Sequence, residues 1–126
     1  MSNNFLVFYQ DQNSNYEKAT KLLKSYGFEV QEGEDHLVAK ASEFVFNITI
    51  NKTAEVGETA KEIGEGSPYK SEMNLCNACF EVSIENLDEA LDEINTLMEI
   101  QGALQDASKG YLFLPWNGSL SEPYLD

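Results

Sequence analysis

The chain has 126 residues, enough for one domain with its own core, and its 42% apolar and 11% aromatic content excludes a disordered acidic tail. Its 22 acidic and 8 basic residues give a net charge of −14, which argues against a nucleic-acid backbone as partner and favours cationic ligands or basic partners. No apolar run approaches the roughly 18 residues of a membrane span, and Met1-Ser2-Asn3-Asn4 lacks the basic n-region of a signal peptide.

Phe5-Leu6-Val7-Phe8-Tyr9 is a short apolar run suited to a buried strand. Ser14 and Glu17 have capping-box spacing, and the helix that follows places Tyr16, Ala19, Leu22, Leu23 and Tyr26 on one broad face. Gly27 supplies the left-handed residue that stops it. Phe28-Glu29-Val30 starts a strand, Gly33-Glu34-Asp35 reads as a hairpin turn, and His36-Leu37-Val38-Ala39 returns. Phe44, Phe46, Ile48 and Ile50 then alternate with Val45, Asn47, Thr49 and Asn51, which gives a strand with one apolar face.

From Lys52 to Asn74 the pattern weakens into a connector, with a short helix near Glu58–Ile63. The first order then restarts. Ala78, Phe80, Val82 and Ile84 alternate with Asn77, Cys79, Glu81 and Ser83. A helix from about Leu87 to Ile100, capped by Asn86, buries Leu87, Ala90, Leu91, Ile94, Leu97 and Met98, and Gly102 ends it. A weak strand around Ala103–Gln105, a firm one at Tyr111–Leu114 and a last one near Leu120–Leu125 follow, with an Asn117-Gly118 turn between the last two. The expected fold is α+β, with two βαβββ modules forming curved mixed sheets. Module one covers about 4–51, the connector about 52–74 and module two about 75–126.

Asn77-Ala78-Cys79-Phe80-Glu81-Val82 and Asn86-Leu87-Asp88-Glu89-Ala90-Leu91 resemble the opening of the second module in the glyoxalase/bleomycin-resistance/extradiol-dioxygenase (vicinal oxygen chelate) superfamily. Leu114-Pro115-Trp116-Asn117-Gly118-Ser119-Leu120-Ser121-Glu122 is similar to its closing signature, with one extra residue. Tyr26-Gly27-Phe28-Glu29-Val30 looks like its helix closing on Leu-Gly-Phe, although Lys21-Leu22 replaces the usual Phe-Tyr pair. The resemblance implies a sheet that cups a ligand, with helices on its outer face, and a homodimer. In enzymes of the superfamily a divalent metal sits on the cup wall. Here Asn4, Asn77 and Asn47 fall at ligand positions and only Glu122 matches in type. Amide oxygens are weak ligands where imidazole and carboxylate are wanted, so no metal and no cofactor are expected. His36, on a hairpin strand, matches none of these positions and is expected to be exposed or locally hydrogen-bonded.

Cys76-Asn77-Ala78-Cys79 is a CxxC motif. With both cysteines on one strand their Cα atoms would lie roughly 10 Å apart and face opposite sides, so free structural thiols in a reducing cytoplasm are expected. Strand alternation turns Asn4, Leu6, Phe8, Asn47, Thr49, Asn77, Cys79, Glu81, Ser83, Leu120, Glu122 and Tyr124 toward the cup. Trp116 is read equally as a pocket lid and as a packing anchor. The ligand-binding set is Asn4, Phe8, Asn47, Asn77, Glu81, Glu122 and Tyr124. The expected function is metal-free binding of a small, cationic molecule, with no nucleic-acid or membrane partner. The alternative is a lyase, isomerase or dioxygenase-type enzyme with Glu122 or Glu81 as general base, since an apolar cup favours carboxylates suited to that work.

Overall fold

The computed structural model describes residues 4–41, 44–85, 92–116 and 118–123. Its elements in chain order are β1 (Asn4–Tyr9), α1 (Tyr16–Ser25), β2 (Glu29–Glu32), β3 (Leu37–Ala41) and β4 (Phe44–Asn51). Then come α2 (Ala54–Gly64), α3 (Lys70–Met73), β5 (Ala78–Ile84), α4 (Ile94–Ser108), β6 (Tyr111–Leu114) and β7 (Ser119–Ser121). The strands form one curved, unclosed antiparallel sheet in the order β2–β3–β4–β5–β1–β6–β7.

Local chemistry explains the first half. Ala19 and Leu23, one turn apart on α1, are fully buried. The Asn15 side chain accepts the Lys18 N–H at 2.8 Å, so Asn15 rather than Ser14 caps the helix. Gly27, at φ +95°, takes the expected left-handed position beyond its end. β2, β3 and β4 pair in sequence, as their alternation predicts.

Counting antiparallel steps across the sheet makes β2 parallel to β1, and β6 parallel to β5. The helices α1 and α4 therefore both make split βαβ connections, and α4 crosses over β1. They lie together on one face of the sheet, where the Tyr26 hydroxyl donates to the Asp106 carboxylate. Beneath them Phe5, Val7 and Tyr9 of β1 join Phe46 and Ile48 of β4 and Phe80 and Val82 of β5 in the main core. Tyr9 stacks on Phe80 with ring centroids 4.7 Å apart. Trp116 packs against this core, which makes it an anchor.

The second half departs from the sequence reading. Residues 103–105, read as a weak strand, lie inside α4, which runs through Gly102 to Ser108. Glycine in a helix costs only about 1 kcal/mol relative to Ala, which burial of this helix offsets. Lys109, at φ 55°, supplies the left-handed cap instead. Leu97 is buried as expected, but Ile94 and Met98 stand about half exposed. Among the described residues two strands follow α4, not three, and the first of them, β6, sits against β1. In the first half the last strand, β4, is innermost instead. Asn86, Leu87, Ala90, Leu91, Asn117, Tyr124 and Leu125 lie outside the described residues.

The connector is also different. Residues 52–74 hold two helices, and these lie on the other face of the sheet, the one read as an open cup. Val56 and Ala60 of α2 and Met73 of α3 pack with Phe8, Cys76 and Cys79 in a second, smaller core. A Cβ on Gly64 would fall 2.5 Å from the Met73 Cβ, so only glycine lets α2 and α3 approach this closely. Helices thus cover both faces. The expectation that they lie only outside the cup is corrected.

Candidate functional site

The cup face of the sheet is a set of cross-strand rows. Asn47, Ser83 and Asn4 are direct neighbours in one row, which places the two asparagines two strand spacings apart, roughly 10 Å. Thr49, Glu81, Leu6, Phe113 and Leu120 make the next row, and Asn51, Cys79, Phe8 and Tyr111 the third. The structure therefore gathers Asn4, Asn47 and Glu81 on one surface. Phe8 shares the face but is 2% exposed, because α2 and α3 close over it. What remains between α2 and the sheet is a cavity of about 130 Å³ beside Leu6, Val56, Thr59 and Glu81. The Asn51 side-chain amide donates to the Glu81 carboxylate there at 3.3 Å.

Asn77 lies elsewhere. It precedes β5, its side-chain oxygen accepts the Asp11 N–H at 2.7 Å, and its own N–H donates to the Tyr9 carbonyl. It holds the turn after β1, which a Lys52–Asp11 ion pair of 2.9 Å also ties down. Tyr124 is outside the described residues.

Glu122 lines a different depression, a pocket of about 350 Å³ at the β7 rim. Its apolar walls are Met98, Leu112, Leu114 and Leu120, and its polar groups come from Tyr69, Gln101, Gln105, Ser121 and Glu122. One residue fixes its shape. The Gln105 side-chain amide, 2% exposed, donates toward the carbonyls of Gly110, Ser121 and Glu122 at 3.2–3.4 Å, which ties α4 to both ends of the β6–β7 hairpin. Glu81 and Glu122 therefore do not share a pocket: three strand spacings separate Glu81 from Leu120 along their row.

A wider depression of about 460 Å³ lies at the β2–β3 hairpin among Glu17, Glu32, Glu34 and His36. These side chains are all exposed, and the Tyr16 hydroxyl beside them is already committed, accepting the Ile50 N–H and donating to the Asp35 carbonyl. It reads as a solvated groove. His36 is exposed, as expected, and its ring lies against Gly33.

The two cysteines are free, and both are buried. Cys76 sits before β5 rather than on it, so both thiols enter the same small core, contrary to the expectation that they face opposite sides. Burial pushes the Cys76 thiol up to about 11, and burial followed by the Glu81 charge pushes Cys79 higher still. Neither is a thiolate nucleophile at neutral pH. Burial, then the nearby Glu72, also raises the Tyr111 hydroxyl. Among the described residues no group of three or more His, Cys, Asp or Glu is placed to hold a metal.

No family model, curated protein or solved structure matches the chain. No helix among the described residues is long and apolar enough to cross a membrane.

Sequence reasoning singled out Glu122 but set it in the cup beside Glu81, and missed Gln101, Gln105 and Met98 as its neighbours. The signal was available: continued past Ile100, the helix places Met98, Gln101 and Gln105 on one stripe at i, i+3 and i+7.

Proposed function

We propose that this chain is a small-molecule-binding protein whose ligand sits in the rim pocket beside Glu122, not at the centre of the cup. One observation carries the reading: α2 and α3 reduce the cup to about 130 Å³, while the rim pocket keeps about 350 Å³. Small-molecule sites fall in the range of roughly 300–1,000 Å³ and combine apolar walls with a few polar groups, as the rim does. A ligand with an amine beside an apolar body suits Glu122, and the net charge of −14 concentrates cations around the protein. The resemblance to the glyoxalase/bleomycin-resistance superfamily supports this reading through the strand–helix–three-strand order of the first half. The homodimer that it implies, and the cytoplasmic location that the free cysteines favour, belong to the same proposal.

The test is a thermal-shift screen of cationic, neutral and anionic aromatic compounds on the wild type and on Met98→Trp. Met98 is half exposed at the pocket, so the larger ring fills the space without disturbing the core. Compounds with an amine should stabilise the wild type, and Met98→Trp should lose that response while keeping its own melting temperature. Equal stabilisation of both proteins would contradict the proposal.

A further inference from the structure

Gln101 is a polar residue in an unusual position. It lies on α4 between the two buried turns of Leu97 and Leu104, is only 7% exposed, and lines the rim pocket. Its neighbour Gln105 spends its amide on backbone carbonyls, but no hydrogen bond among the described residues takes up the side chain of Gln101. Its amide atoms are not sealed in but are reached from the pocket, where water or a ligand can satisfy them. The pocket wall beside it carries Met98, Leu112 and Leu114, and since Gln105 is committed to backbone carbonyls, Gln101 is the side-chain amide on this helix left to meet a ligand.

One edge of a primary amide sets an N–H beside a C=O, and a group that satisfies both at once at neutral pH is another amide edge. We infer that Gln101 is the specificity-determining residue of the rim pocket, and that the ligand presents to it an adjacent N–H and C=O, as in a carboxamide, lactam or pyridone, on an apolar body. This rests on the reading of the rim as a binding pocket and adds the chemistry of the ligand's inner end. Glu122 lies at the exposed side of the same pocket and takes the outer end.

The probes are benzamide, acetophenone and toluene, which share a ring and carry an amide, a carbonyl alone and neither group. Titrated into isotope-labelled protein, benzamide should bind about tenfold more tightly than toluene and shift the Gln101 side-chain amide resonances, because a polar site left unsatisfied by the wrong ligand loses affinity. In Gln101→Leu that preference should vanish, and toluene should bind at least as well as before. Gln101→Met provides a second apolar replacement with a flexible side chain and should give the same loss of preference. If the benzamide preference survives both substitutions, or if the wild type binds all three probes equally, the assignment to Gln101 is overturned while the rim remains a pocket. If none of the three binds there, the pocket reading fails and this inference fails with it.

Discussion

The centre of the cup and its β7 rim are lined by similar residues, yet one is closed and the other open. At the centre, Phe8 and Cys79 meet Val56, Ala60 and Met73 from α2 and α3, and every one of these side chains is buried. At the rim, Leu112 and Leu114 line the pocket with Met98 and Gln101 of α4, Leu120 borders it from the other face of the sheet, and the Gln105 amide ties α4 to the hairpin. Both places combine a carboxylate with apolar walls. The difference lies in what the chain lays over them. Composition alone therefore does not mark a ligand site; a covering segment converts the same residues into core.

Methionine gives the largest expected contrast between the two places. Met73→Ala removes a fully buried side chain from under α2 and should cost about 2–4 kcal/mol in urea unfolding. Met98→Ala, at the half-exposed rim, should stay within about 0.5 kcal/mol. Similar losses at both positions would mean that the rim is packed like the cup.

Alkaline pH sharpens the comparison chemically. Both cysteines belong to the closed side, and their folded-state pKa values are raised, Cys76 to about 11. Between pH 9 and 11 the unfolded chain releases thiol protons that the folded chain retains, so stability is intact below pH 9 and falls as pH rises. The slope should be on the order of 1 kcal/mol per pH unit, and Cys76→Ala should reduce it. A thiol reagent at neutral pH should react only as fast as the protein unfolds.

Gln105→Leu should cost about 1–3 kcal/mol, since it strands carbonyls at both ends of the β6–β7 hairpin. The rim should loosen with it, seen as faster hydrogen exchange in β7 and unchanged exchange in β4. Lys109→Gly should bring a gain of about 0.5–1 kcal/mol from relieving the left-handed strain at the end of α4.

Much of the architecture was legible because alternation is a strong signal. Phe44 to Ile50 and Ala78 to Ile84 named their inward faces correctly, and those faces make the main core. Two glycine-based inferences failed for different reasons. Gly102 looked like a stop, but burial in α4 against the Tyr26 ring outweighs its weak helix propensity. Gly64 looked like loop chemistry, yet it is what lets α2 and α3 pack together over the cup. The stripe of Val56, Ala60 and Ile63 was present in the sequence and indicated an amphipathic helix in search of a surface. The candidate site inherited these errors: ending the helix early left Gln101 in no element and put Gln105 in a weak strand, so neither was set beside Glu122. The strand order of the second half had no local signal, since it depends on which strand docks beside β1.

The two described methionines report separately on the two places, with Met73 beneath the closed cup and Met98 at the rim. Methyl spectra of methionine-labelled protein, recorded with a stabilising amine-bearing aromatic compound, therefore test the central claim directly. The account predicts that the Met98 methyl shifts in proportion to occupancy while Met73 stays in place. A shift at Met73 with Met98 unmoved would put the ligand under α2 and contradict the rim as the binding site.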